Sequence, residues 1–129
     1  MGSGYIGSWM NSWLRNSYPE EKTDLCTCFI DRGLRFAKRG GYASLVTMHS
    51  WMFLTSYEAM RRKLLSSKTI VSMAHLGARA FDSIGGEVVQ TAATTFLNQK
   101  SSMMGGFVRL VDLNSSNAKR TALLEAASN

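Results

Sequence analysis

The sequence predicts an α/β fold, a sheet flanked by helices, and three observations carry that reading. A capped helix ends in basic residues and Gly40-Gly41, and an apolar run, Tyr42 to Met48, follows at once. Helix, glycine stop and buried strand make an αβ unit. A second capped, basic helix followed by the apolar run Thr69 to Leu76 repeats the alternation, and a Gly-rich loop leads from there into a third apolar run, Val88 to Leu97.

Taken in order, residues 1–23 are rich in Gly, Ser, Asn, Trp and Tyr and read as an irregular or weakly helical lead-in. Thr23 or Asp24 then caps a helix to about Ala37, with Leu25, Phe29, Leu34 and Ala37 along its apolar side. Gly33 weakens that helix by about 1 kcal/mol. Lys38 and Arg39 suit its negative end, and the glycine pair supplies a left-handed stop. After the first strand, Thr55 and Glu58 form a capping-box pattern that opens a helix through about Leu65. Its Arg61-Arg62-Lys63 run reads as a solvated face, with Met60, Leu64 and Leu65 turned inward. A loop with Gly77, Gly85 and Gly86 joins the second and third strands; a further strand, Phe107 to Val111, follows a Met-Met-Gly-Gly turn. Ser115 or Ser116 caps a last helix to about Ala127. No internal repeat or linker is visible, so the 129 residues read as one domain.

The charge is lopsided, 15 Lys and Arg against 9 Asp and Glu for a net +6, which suits a polyanion such as nucleic acid without requiring one. Cys26 and Cys28, two apart on a helix, point about 200° from each other and do not pair. With only His49 and His75 besides, no zinc-ligand spacing exists. No signal-peptide pattern opens the chain, and its apolar runs are shorter than the ~20 residues a bilayer requires. The expected setting is the cytoplasm.

Catalytic material is sparse. Ser50 and Ser56 lack an evident His-Asp set, and His49 and Ser50 face opposite ways if the strand continues through them. His75 reads as a hydrogen-bonded structural residue at a strand end. Gly85-Gly86-Glu87 lacks the Lys-Ser/Thr of a phosphate loop. Phe81 differs in kind, because an aromatic between Arg79 and Asp82 in a Gly-rich loop is placed by neither helix nor strand periodicity. It reads either as a lid on the sheet edge or as a stacking platform for a base.

The order of these features resembles the adenine-specific DNA methyltransferases of the PglX type, from BREX phage-defence systems, and their Eco57I-like relatives. The resemblance rests on Asp24 to Phe36, Lys38-Arg39-Gly40-Gly41, Val46-Thr47-Met48-His49-Ser50-Trp51-Met52, His75-Leu76-Gly77, Phe81, Gly85-Gly86-Glu87-Val88-Val89 and Val108-Arg109-Leu110-Val111-Asp112. It covers nearly the whole chain and is densest from 40 to 97. Arg39 stands where the family usually has proline.

The resemblance implies a partial mixed sheet, the far half of a doubly wound methyltransferase sheet with flanking helices. Its strands would run in the order first, third, second, the third antiparallel to both. It implies Phe81 as the residue that stacks on the target adenine, S-adenosylmethionine as the cofactor of the full-length family, and DNA as the partner. It also places the start of this chain just after the family's catalytic Asn-Pro-Pro-Tyr, a motif these residues lack, and no G-x-G turn after a strand is there for the cofactor. The expectation is therefore the C-terminal portion of a catalytic domain, inactive alone, with no cofactor or metal bound. A missing N-terminal half is a possible partner. The alternative is a small basic nucleic-acid-binding or regulatory module. Without an upstream half, Trp9, Trp13, Trp51 and the first strand's edge would be partly uncovered.

Overall fold

The computed structural model describes residues 1–81 and 89–128. The lead-in is more ordered than its composition suggests: after a short turn at Ser3–Tyr5 it forms helix α1, Ser8–Ser17. α1 carries an apolar side, Trp9, Met10, Trp13 and Leu14, but only Leu14 is buried, packed with Tyr18 and Cys28.

Helix α2, Leu25–Phe36, starts where Asp24 accepts a hydrogen bond from the Cys26 N–H at 2.9 Å. Its buried face is Thr27, Cys28, Ile30 and Leu34, whereas Phe29 is exposed. The apolar side read from sequence is thus rotated. The reason is Thr27, whose hydroxyl donates to the Glu21 and Asp24 carbonyls at 2.7 and 2.6 Å, so a polar residue occupies the inner face at no hydrogen-bonding cost. Gly40, at φ +75°, makes the turn into strand β1, Tyr42–Met48.

The chain then tightens into helical turns, His49–Met52 and Thr55–Tyr57, before helix α3, Glu58–Ser67. The expected capping box does not form: α3 begins at Glu58, has no side-chain cap, and Glu58 pairs with Arg62 instead at 2.8 Å. Met60 and Leu64 point inward as expected, but Leu65 is exposed. Lys63 is no idle surface charge. Its Nζ lies 2.9 Å from Glu20, 3.1 Å from the buried Glu21 and 3.8 Å from Asp31, tying α3 to α2 and the lead-in.

Strands β2, Thr69–Gly77, β3, Thr91–Leu97, and β4, Gly106–Arg109, complete a four-stranded mixed sheet in the order β1-β3-β2-β4. β3 is antiparallel to both β1 and β2, as the resemblance implied, and β4 is parallel to β2. The expected first residue of the third strand, Val88, lies outside the described residues, as does Gly85-Gly86-Glu87. Helix α4, Ser116–Ser128, is capped by Ser115, whose hydroxyl accepts from the Ala118 N–H at 3.2 Å. The core lies between one sheet face and α2 and α3, around Phe96, Ile30, Leu34, Trp51, Tyr57, Met60 and Leu64. Trp9 and Trp13 are exposed, but Trp51 is buried, contrary to expectation, because its indole N–H reaches Thr47 Oγ1 at 3.1 Å and its ring packs near Phe96.

Candidate functional site

β1 and β2 run in the same direction on either side of β3, so their carboxyl ends meet one edge of the sheet. Thr91, the first residue of β3, pairs with Met48 on one side and Gly77 on the other. In an open α/β sheet, the crevice outside those ends is where ligands bind.

The end of β2 is fastened residue by residue. His75 Nε2 lies 2.8 Å from His49 Nδ1, and the His75 carbonyl accepts from the Leu110 N–H at 2.9 Å. The two imidazoles meet across β3: His75 pairs with Ala92, a fully buried residue, and the His49 N–H donates to the Gln90 carbonyl at 3.0 Å. The pairing register shifts between His75 and Gly77, leaving Leu76 out of the ladder with β3. Lys119 takes up its carbonyl at 2.6 Å and that of Leu110 at 2.7 Å, so one buried ammonium closes the ends of β2 and β4 together. Gly77 has φ +65°, and a Cβ there would sit 2.9 Å from Val111, so only glycine fits. Phe81 follows four residues later, 42% exposed, beyond Arg79 at φ +56°.

The end of β1 is anchored differently. The Ser50 carbonyl accepts from the N–H groups of Phe53 and Leu54 at 3.3 and 3.0 Å. Arg61 Nη1 donates to the Trp51 and Leu54 carbonyls at 2.8 and 2.6 Å. Thus part of the basic run braces this turn rather than meeting solvent. His49 also stands edge-on to Phe53, with centroids 4.9 Å apart.

The electrostatics favour neutral imidazoles. Burial lowers the proton affinity of both; His75 adds to this at His49, and the charges of Arg109 and Lys119 add to it at His75. Lys119 is itself pushed down by burial, with Asp112 opposing. At Asp24 burial acts upward, but the hydrogen bonds from Cys26 and the amino terminus of Met1 outweigh it and hold the carboxyl below its usual range. The two cysteines are unpaired, and burial pushes Cys26 up to about 12 and Cys28 up to about 11, values of inert thiols. Among the described residues no group of three or more His, Cys, Asp and Glu could hold a metal ion, and no helix is long and apolar enough to cross a membrane.

Ser50 and Ser56 gain no His-Asp set here: both histidines bond to each other. His75 is hydrogen-bonded, as its place at a strand end suggested, but the partner was not foreseen. Nor were Lys119 and Arg61, whose roles depend on carbonyls that no side-chain pattern reveals.

With this geometry in view, the comparisons are direct. The Eco57I restriction-modification methylase family matches residues 4–81. The chain belongs to that family. Relatives within it include the adenine-specific methyltransferase PglX of Lacticaseibacillus casei (strain Zhang), 42% identical over 130 residues, covering 100% of this chain and 11% of that protein. The adenine-specific methyltransferase BrxX of Escherichia coli O9:H4 (strain HS) is 43% identical over 123 residues, covering 95% of this chain and 10% of that protein. The chain therefore spans about a tenth of the length of these relatives. A Listeria monocytogenes chain described as a class I S-adenosylmethionine-dependent methyltransferase shares the fold, with TM-score 0.53 and 14% identity over 76% of this chain and 30% of that one.

Proposed function

We propose that these 129 residues form the target-base side of the catalytic domain of a DNA adenine methyltransferase. It would transfer a methyl group from S-adenosylmethionine to the adenine amino group in a phage-defence or restriction-modification system, in the cytoplasm. The observation that carries this reading is the exposed Phe81, four residues beyond the end of β2 at the ligand-binding edge, on a strand end fixed by His49, Lys119 and Val111. A base swung out of a duplex needs an aromatic face on a rigid root, and stacking returns roughly 1–3 kcal/mol of the few that flipping costs.

The described residues do not fit the cofactor. Acids near this edge are already committed, Asp24 to the cap of α2 and the Met1 amino group, and Asp112 to Arg109. The turn after β1 is a Trp51-anchored helical turn without glycine, so its backbone cannot approach a ligand closely. The sequence contains no Asn-Pro-Pro-Tyr to accept hydrogen bonds from the adenine amine. By themselves, then, these residues should neither bind S-adenosylmethionine nor methylate DNA. Isothermal titration that finds cofactor affinity tighter than about 1 mM would defeat this part of the proposal.

A second reading, a small basic nucleic-acid-binding or regulatory module without catalysis, takes its support from the net charge of +6. Phe81 separates the two. In an enzyme completed by a cofactor-binding half, which would be this segment's partner, Phe81→Ala should cut turnover about tenfold to a hundredfold and spare cofactor affinity. Phe81→Trp should be milder. A large fall in melting temperature with unchanged turnover per folded molecule would show that Phe81 only packs the edge.

A further inference from the structure

Both strand ends at this edge deliver an exposed phenylalanine. β2 leads to Phe81, and β1 leads to Phe53, 55% exposed, with Leu54, 47% exposed, beside it. The second pair is not a loose tip. Its backbone is held by the Ser50 carbonyl and by a hydrogen bond from Arg61 to the Leu54 carbonyl, and Arg61 also binds the carbonyl of Trp51, which is sunk in the core at 2% exposure. His49 supports the Phe53 ring from one side. A turn fastened at so many points while two large apolar groups stay in water presents those groups by construction. The His49–His75 bond ties its root to the root of the Phe81 loop, so the two presentations keep a fixed spacing. Arg61 brings a positive charge directly to this turn through the Leu54 carbonyl, in a chain of net charge +6, while Arg62 and Arg109 nearby are paired with Glu58 and Asp112.

Resting on the reading of Phe81 given above, we propose that Phe53 and Leu54 form an apolar wedge that enters the base stack of double-stranded DNA beside the extruded nucleotide. A phenyl ring and a branched aliphatic chain are the side chains that part neighbouring base pairs, and the Arg61 charge at the turn, with the chain's net charge of +6, attracts the phosphate backbone. When a base leaves the duplex toward Phe81 it leaves a gap one base thick. The wedge fills that gap, which keeps the flipped state from collapsing back.

The test uses the full 129-residue chain and two short duplexes of identical sequence, one intact and one with an abasic gap, with binding read by fluorescence anisotropy. The gapped duplex should bind about tenfold more tightly, the return from one stacked ring. Replacing both wedge residues (Phe53→Ser with Leu54→Ser) should erase that preference and leave melting temperature and affinity for the intact duplex unchanged. Phe81→Ala should retain the preference, because Phe81 serves the base that has left the stack; this keeps failure of the wedge distinct from failure of the Phe81 assignment. Equal affinity of the unaltered chain for both duplexes overturns the proposal. So does a preference that survives in the double serine variant or disappears in Phe81→Ala.

Discussion

The two faces of the sheet are made of different stuff. Toward α2 and α3 the strands offer Ala43, Thr47, Ala92 and Phe96, all buried, and the helices fill the space with Ile30, Leu34, Met60 and Leu64. The opposite face is a floor of Ser44, Val46, Ser72, Ala74, Ala93, Thr95 and Val108. Above it lies an open groove of about 500 Å³, walled on one side by Leu123, Ala126 and Ala127 of α4. Even the polar contacts there are thin, such as the Ser44–Thr95 hydroxyl pair at 3.0 Å. Stability is concentrated on one face, while the candidate site occupies the edge where both faces end.

That contrast can be broken by substitution. The largest effect should come from Phe96→Ala, which empties the centre of the filled face and should cost about 3–5 kcal/mol in denaturant unfolding. An intermediate effect should come from pH, acting at the edge. His49 and His75 are both held below their ordinary value of 6.5, so the folded protein binds fewer protons than the unfolded chain once the pH drops below that value. Stability from the pair is therefore complete above about pH 6.5 and lost as the pH falls through the depressed values. Melting temperature should decline on acidification, and His49→Gln with His75→Gln should flatten the decline. A slope unchanged by that double variant would assign the effect to carboxylates. The smallest change should be Val46→Ala on the open face, within about 0.5 kcal/mol. If it rivalled Phe96→Ala, the open face would have to be covered in solution.

Much of the architecture was legible because its signals are local. The glycine pair before an apolar run bounds β1 to the residue, and the caps of α2 and α4 narrow to Thr23 or Asp24 and Ser115 or Ser116, of which Asp24 and Ser115 do the capping. The strand order came from the family resemblance rather than from periodicity. What escaped was non-local. α1 reads as an irregular or weakly helical lead-in because Gly, Ser and Asn surround its apolar residues, of which only Leu14 is buried. Thr27 is inside only because the carbonyls of Glu21 and Asp24 turn toward it. His49 and His75, 26 positions apart, become partners only once β3 lies between β1 and β2. At the candidate site Phe81 stood out as an aromatic without a periodic excuse, and its stacking role is the proposal made above; Lys119 and Arg61 escaped because they work through backbone carbonyls.

The strand order has a consequence for the time at which this sheet comes into being. β1 and β2 precede β3 in the chain, yet neither pairs with the other, and β3 is the strand both need. Ser44 must wait for Thr95, 51 positions downstream. During synthesis β1 and β2 therefore leave the ribosome before β3, the strand both pair with in this sheet, exists to receive them. β3 can close the shorter hairpin with β2 first, and β1 docks against its free edge afterward. Of these four strands β1, made earliest, is the last to pair with β3, and by the same logic its amides should exchange with solvent before those of β2 and β3.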